Sequence, residues 1–262
     1  MEERFAAKYQ DLERWHWWFQ GRQRILESVL KREIAQLHTP LSARKRIVAV
    51  GCGPPEGLDW VVSALGHDGF VIGIDTDRSG ALSASKPGAP APPLPTGVAF
   101  AIAAAEKAPL RTASCDGALA LDVIEHLDDD AAALSETARL VRPGGFLMVT
   151  VPALPSLWGN QDVVSHHKRR YTSRSLAAAF RRAGLDVAWQ SYFNTALFPV
   201  IASVRWARRA LGHLDGDDSD FESGSPGVVN DALTGIFACE RHLVGRVRLP
   251  IGVSLIAVSR VP

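Results

Sequence analysis

The chemistry-bearing positions of this 262-residue chain begin with IVAVGCGPPEG, residues 47–57, where an apolar β-branched run leads into Gly51-x-Gly53-x-x-x-Gly57. Glycine has no Cβ, so Gly51 and Gly53 let the backbone turn sharply and approach a ligand closely, and a helix starting after them would aim its free N–H groups at the same cleft. A second apolar run, FVIGID, ends in Asp75, whose carboxylate can accept hydrogen bonds from both hydroxyls of a ribose. A glycine turn plus an acid is common to many nucleotide sites, and here the spacing discriminates. Pro54 and Pro55 have no amide hydrogen, so two donors are missing from the face that would meet a pyrophosphate. The loop suits an adenosine-bearing ligand that carries no phosphate.

Histidines form the second group, as the side chains that exchange protons near neutral pH. His126 closes Asp122-Val-Ile-Glu-His126, His166 and His167 precede the basic run Lys168, Arg169, Arg170, and His16 stands inside Trp15-His16-Trp17-Trp18-Phe19. That aromatic cluster has two readings. Docking a helix onto a core is the ordinary one; a lid is the functional one, with Trp17 and Trp18 covering a ligand while Arg22 and Arg24 face an anionic group. Asp122 and Glu125, three residues apart, could share a helical face, but no His/Asp cluster completes a metal shell and no metal is expected.

These residues need a scaffold at whose edge they meet. Short β-branched runs alternate with amphipathic Ala/Leu-rich segments, the pattern of an α/β fold with a Rossmann-like, mostly parallel seven-stranded sheet and helices on both faces. Strands are predicted at 46–50, 70–75, 98–103, 116–121, 145–151, 186–192 and 251–258. Pro143-Gly144-Gly145 is expected to end a helix over 129–141, and Gly184 one over 173–183, for which Thr172 or Ser173 is the N-cap. The chain reads as one domain: an N-terminal helical lid over 1–37, a core over 45–192, a helical insertion over 193–248 and a last strand in 249–262. Lid and insertion are both expected to close over the sheet's carboxyl edge. The proline-rich stretch 86–97 reads as an exposed loop, and 212–227 as a mobile one that includes the acidic run from Asp215 to Glu222.

Composition excludes several classes. A net charge of +1 gives no bulk attraction to nucleic acid, although the basic residues from Lys168 to Arg182 keep an RNA substrate as a minor reading. Cys52, Cys115 and Cys239 have neither zinc nor disulfide spacing, which fits a reducing cytoplasm. The charged N-terminus is no export signal, and the longest apolar stretch, Phe193 to Val204, is too short to span a bilayer. Peripheral membrane contact by the Arg-flanked helix near 194–211 stays open, and nothing sets an oligomeric state.

S-adenosylmethionine has an adenosine and no phosphate, and at this point the sequence resembles a known family. VAVGCGPPEG resembles the first motif of class I S-adenosylmethionine-dependent methyltransferases, GIDTD the ribose-binding acid, ALDVIEHLDD the strand-four motif and LVRPGGFLMVTVP the strand-five motif. HWWFQGRQRIL, WGNQDVVSHHKRRYT, SYFNTALFP and RLPIGVSLIAVSR extend the likeness to a bacterial subgroup similar to ubiquinone/menaquinone-type and biosynthetic-cluster enzymes. The resemblance implies cofactor contacts at Gly51, Cys52, Gly53, Asp75, Thr76, Ala105, Glu106, Leu121, Asp122 and Val123. It also implies acceptor contacts at Trp158 and Asn194, with Asp162 in the same segment; the lid reading adds Trp17, Trp18 and Arg22, and position after strands four and five adds Arg170 and Tyr171 and a base among His126, His166 and His167. Ala104 departs from the family, which often has an Asp there for the adenine amine. The implied reaction moves a methyl group to oxygen, carbon or nitrogen of a small, possibly anionic, biosynthetic intermediate, leaving S-adenosylhomocysteine. An inactive methyltransferase-like binding protein and an NAD(P)-dependent oxidoreductase are the competing readings.

Overall fold

Runs of apolar residues buried on both faces are what a sheet covered by helices requires, and β1 (Arg46–Val50) and β4 (Cys115–Leu121) are buried almost end to end in the computed structural model. The structure describes residues 11–38, 44–66, 69–76, 94–211 and 226–262. The proline-rich residues 86–93 and most of the 212–227 segment lie outside these. With β2 (Phe70–Asp75), β3 (Val98–Ile102), β5 (Val141–Pro152), β6 (Val187–Phe193) and β7 (Ser254–Arg260), the sheet has seven strands in the order β3-β2-β1-β4-β5-β7-β6. The pairs β3/β2, β2/β1, β1/β4 and β4/β5 are parallel. β7 is antiparallel to β5: Gly144 N–H donates to Val261 and Val261 N–H returns to Gly145, while Ala153 N–H donates to Val253. The order reverses between β1 and β4, which is where ligands of open α/β sheets bind.

Three expected boundaries are corrected. The helix α3 (Asp130–Leu140) ends before Pro143-Gly144-Gly145, because Val141 already takes an extended conformation and pairs with Cys115. The Pro-Gly-Gly then lies within β5, absorbed by the irregularity in register between Cys115 and Gly117. After the glycine loop, no α-helix begins at once. Pro54 and Pro55 open a 3-10 turn, Pro55–Leu58, and α2 (Asp59–Leu65) follows it. The last strand starts at Ser254 rather than at residue 251.

Chain contacts gather into two compact units. One, the sheet unit, draws on Leu30–Thr150, Ala177–Trp189 and Ala257–Pro262; the other, the helical unit, on residues up to Val29, Val151–Leu176 and Gln190–Ile256. The cuts fall inside the helix α1 (Trp17–Ala35), the helix α5 (Ser173–Arg182) and strands β5, β6 and β7. In the sheet unit, buried Glu33 accepts from the Trp189 indole at 3.1 Å and from Arg260. α5 starts in the helical unit, where Thr172 is its N-cap: Ser175 N–H donates to the Thr172 hydroxyl at 3.1 Å, and Thr172 N–H donates to Ser175 Oγ at 2.9 Å.

The helical unit also holds α4 (Asn160–Val164), α6 (Phe198–Ala210) and α7 (Val228–Cys239). Its N-terminal helical stretch breaks at His16, between helical residues 11–15 and α1. Asn230 spans the break, accepting from Trp17 N–H at 2.8 Å and donating to the Trp15 carbonyl at 2.7 Å. Phe237 packs edge-on to Trp17 and stacks with Phe193. A Cβ at Gly21 would sit 2.5 Å from the Phe237 ring, so only glycine allows this contact.

Candidate cofactor site

β1 enters the site through a loop that glycine alone can form. Gly51 has φ +61°, its N–H donates to the Ile74 carbonyl at 2.7 Å, and a Cβ built on it would lie 2.5 Å from Val123 Cγ2. Gly53 has φ +63° and donates its N–H to Asp75 Oδ2 at 2.8 Å, tying the loop to the acid that ends β2. A Cβ on Gly53 would meet nothing within 4 Å, so this backbone borders open space. Asp75 is half-buried, and its carbonyl accepts Ala103 N–H from the end of β3.

Around this loop, the residues implied by resemblance fall at the carboxyl ends of neighbouring parallel strands. Thr76 is exposed after β2; beyond β3, Ala105 is buried while Ala104 and Glu106 are exposed. Leu121 and Asp122 are half-buried at the end of β4, and Val123 is the side chain packed against Gly51. Asp122 has φ +59°, a left-handed conformation that a non-glycine residue adopts at a cost of about 1–3 kcal/mol and that clusters at ligand sites. Its carboxylate accepts the Thr150 hydroxyl at 3.1 Å and its N–H donates to the Thr150 carbonyl at 3.0 Å. His126 follows, half-buried at the end of the 3-10 turn Ile124–His126, beside fully buried Glu125.

Cys52 Sγ packs over Gly73, where a Cβ would come within 2.7 Å of the sulfur, and its thiol donates to the Gly53 carbonyl at 3.4 Å. Burial, and after it the neighbouring Asp75 charge, pushes this thiol up to about 12. Cys52 is therefore a packing group and not a nucleophile. At mildly alkaline pH, iodoacetamide is expected to label exposed Cys239 and to leave Cys52 unmodified, as peptide mass spectrometry would read; rapid Cys52 labelling in the folded protein contradicts this environment.

The remaining candidates lie in the helical unit. Asp162, fully buried, accepts from Gly159 N–H at 2.8 Å and from the Arg170 guanidinium at 2.9 and 3.1 Å. His167 Nδ1 lies 2.8 Å from the same carboxylate, and Arg205 lies 3.8 Å away. Because a carboxylate only accepts, this contact makes Nδ1–H the donor and Nε2 the basic nitrogen of a neutral His167. Arg170, read from sequence as an acceptor contact, also donates to the carbonyls of Ala153 and Val253 and is a buried structural centre. Tyr171 is buried beside Ala153, with which its backbone forms a bridge, whereas His166 is exposed at φ +53° and Trp158 is half-buried.

Asn194 is fully buried with φ +58°, and neither carboxamide atom meets a hydrogen-bond partner among the described residues. Its neighbours Thr195 and Ala196 donate their N–H groups to Glu240 at 2.7 and 2.8 Å. Arg22 lies over the Trp18 ring at 5.3 Å. His16, only 3% exposed, accepts Trp18 N–H on Nδ1, and burial pulls its imidazole down to about 4. It is neutral near pH 7 and caps the helix. Sequence reasoning missed the roles of Asn230 and Glu240, whose partners lie 213 and 44–45 residues away.

The sheet-unit residues fit an adenosyl cofactor. Asp75 is a half-buried carboxylate able to accept from a diol, Gly53 opens onto free space, and the loop offers no amides at positions 54 and 55 for phosphate. Comparison with known proteins agrees. Residues 48–149 match the family described as a methyltransferase domain. An O-methyltransferase of Aspergillus nomiae is 32% identical over 143 residues, covering 52% of this chain and 59% of that protein. A probable S-adenosylmethionine-dependent methyltransferase of Mycobacterium tuberculosis is 27% identical over 187 residues, covering 70% and 61%. The chain spans less than two thirds of the length of the curated relatives it matches.

Among solved structures, the complex of the Haloferax volcanii Trm112 methyltransferase activator with a methyltransferase shares the fold, at TM-score 0.57 and 19% identity over 98% of this chain and 94% of that one. The fold is a Rossmann-like α/β sheet, shared with structures of methyltransferases. Residues 48–149 carry the match to a methyltransferase domain, and the Mycobacterium tuberculosis relative is described as probably S-adenosylmethionine-dependent.

Proposed function

We propose that the chain transfers a methyl group from S-adenosylmethionine to oxygen, carbon or nitrogen of a small-molecule biosynthetic intermediate. The observation that carries this reading is the Gly53–Asp75 hydrogen bond beside open space, on a loop whose prolines withhold the amides a pyrophosphate needs. Bound there, the cofactor supplies a methyl group already activated by its sulfonium. The protein's work is to position an acceptor and exclude water, worth up to roughly 7–11 kcal/mol for well-oriented groups.

In this reading, Asp75 holds the ribose, Gly51 and Gly53 admit the amino-acid end, and Leu121, Ala105 and Val123 line the adenine. Glu106 and Thr76 lie at the rim, and Asp122 holds its strained backbone for the ligand. On the acceptor side, the buried Asn194 carboxamide, unpartnered among the described residues, offers one donor group and one acceptor atom to a polar ligand. Trp17, Trp18 and Arg22 fit a partly apolar, anionic acceptor, with Trp158 and Tyr171 beside the Asp162 cluster. A hydroxyl or ammonium acceptor needs a base, and His167 is the proposed one, since Asp162 fixes its tautomer. His126 and His166 are the alternatives.

Calorimetric titration with S-adenosylmethionine, S-adenosylhomocysteine and NAD(P)H tests this directly. The first two are expected to bind and the third is not. Asp75→Ala, which removes charged hydrogen bonds worth about 1.5–3 kcal/mol, should weaken binding by roughly 10–100-fold. Nicotinamide binding, or silence with both adenosyl ligands, would overturn the proposal.

A further inference from the structure

Helix α7 exposes an apolar face in the helical unit. Val228, Val229, Ile236 and the small residues Ala232, Gly235 and Cys239 are all exposed, and at 3.6 residues per turn they form one stripe along the helix. Val228 is 86% and Val229 74% exposed, far from the burial such side chains ordinarily reach. The opposite face is spent inside the unit, where Asn230, Thr234, Phe237 and Ala238 are buried. Past the helix, the chain turns through Gly245 at φ +79° and exposes Leu243 and Val247 at its tip. Arg241, Arg246 and Arg248 are exposed within the same turn, and between Val228 and Ile251 the only acids are Asp231, on the exposed side of α7, and buried Glu240.

We propose that this face, α7 with the 240–248 turn, docks onto an anionic lipid surface. Apart from the weak Cys239 thiol the stripe has no hydrogen-bonding side chain, and it has no aromatic anchor, the two features that give protein partners specificity; a fluid apolar phase requires neither. The arginines supply charge complementarity: their stems lie along apolar surface while the guanidinium groups reach phosphate-bearing headgroups. A second copy of the chain fits less well, because a two-fold contact sets the same patch against itself and brings these arginines to face one another. Nucleic acid fits the arginines but leaves the valine and isoleucine stripe in water. The sequence left membrane contact near 194–211 open; α6 does expose Val200, Val204 and Leu211, but Arg205 donates to the Leu157 carbonyl and Trp206 to the Ser156 carbonyl within the unit. Among the described residues no helix is long and apolar enough to cross a membrane, so the contact proposed is with one leaflet's surface.

Co-sedimentation of the full chain with phosphatidylglycerol–phosphatidylcholine vesicles, against pure phosphatidylcholine, is the test, with Val228→Asp/Ile236→Asp and Arg246→Ala/Arg248→Ala as variants. All four positions are exposed, so the fold survives, which circular dichroism and S-adenosylmethionine titration would verify independently of lipid. Binding is expected to the anionic vesicles alone. It should fall about tenfold or more with the two aspartates and about fivefold for each arginine removed, and high salt should weaken it. No binding to the anionic vesicles, or binding unchanged by both variants, overturns the proposal. So does a vesicle-independent dimer that Val228→Asp dissociates. S-adenosylmethionine binding does not enter this readout, so a failed membrane proposal and a failed methyltransferase proposal are distinguishable.

Discussion

Gly51→Val is expected to lose both adenosyl-ligand binding and about 2–5 kcal/mol of stability, a fall in Tm of roughly 5–15 °C. Two costs add. A β-branched residue is forced to φ +61°, and its Cβ must displace Val123, whose Cγ2 stands 2.5 Å from that position. Val123 cannot yield easily, because it is buried beside the strained turn at Asp122. Gly53→Ala separates binding from folding. At φ +63° it carries a left-handed cost of about 1–2 kcal/mol, but its Cβ meets no protein atom within 4 Å. It should therefore stay folded while its methyl group intrudes on ligand space, weakening S-adenosylmethionine at least about tenfold. Thermal scans with and without S-adenosylhomocysteine read both effects. If Gly53→Ala binds like the wild type, the open space beside the loop is not the cofactor's.

The contrast between these glycines shows where sequence reading succeeds and where it stops. β1 and β2 are legible to the residue because β-branched runs flanked by charge and glycine leave few alternatives, and their parallel register, which sets Val50 beside Ile74, brings the glycine loop next to Asp75. Pro143-Gly144-Gly145 was misleading because local propensity names a breaker, whereas the pairing of Val141 with Cys115 had already pulled the chain into β5. The same limit hides the polar groups that hold the helical unit together. Asn230 and Glu240 bond to backbone N–H groups distant in sequence, and no periodicity announces such a partner. In WGNQDVVSHHKRRYT the charges are visible, but not that Asp162 is buried and that Arg170 and His167 both turn toward it.

That buried carboxylate carries the largest stability effect expected outside the cofactor loop. Gly159 N–H, His167 Nδ1–H and the Arg170 guanidinium all donate to Asp162, with Arg205 close by. Asp162→Ala removes the counter-ion of a guanidinium that is itself buried, a loss of about 3–5 kcal/mol. Asp162→Asn should cost nearly as much, since its amide sets a donor against donors. Burial alone would raise the Asp162 carboxyl, but His167, Arg170, Arg205 and the Gly159 amide outweigh it and hold the group below the ordinary aspartate value of 3.8. The sign follows from linkage: a pKa depressed in the folded state contributes stability that is complete above the unfolded value and is lost as pH falls through the folded one. The stability gap between wild type and Asp162→Asn should thus be flat with pH down to about 4 and narrow below it. Urea unfolding across that range measures the gap; a gap that keeps its full size well below pH 3.8 would show that Asp162 stabilises the unit by packing and not by charge. Moderate salt should leave it largely unchanged, because the pair is buried and poorly screened.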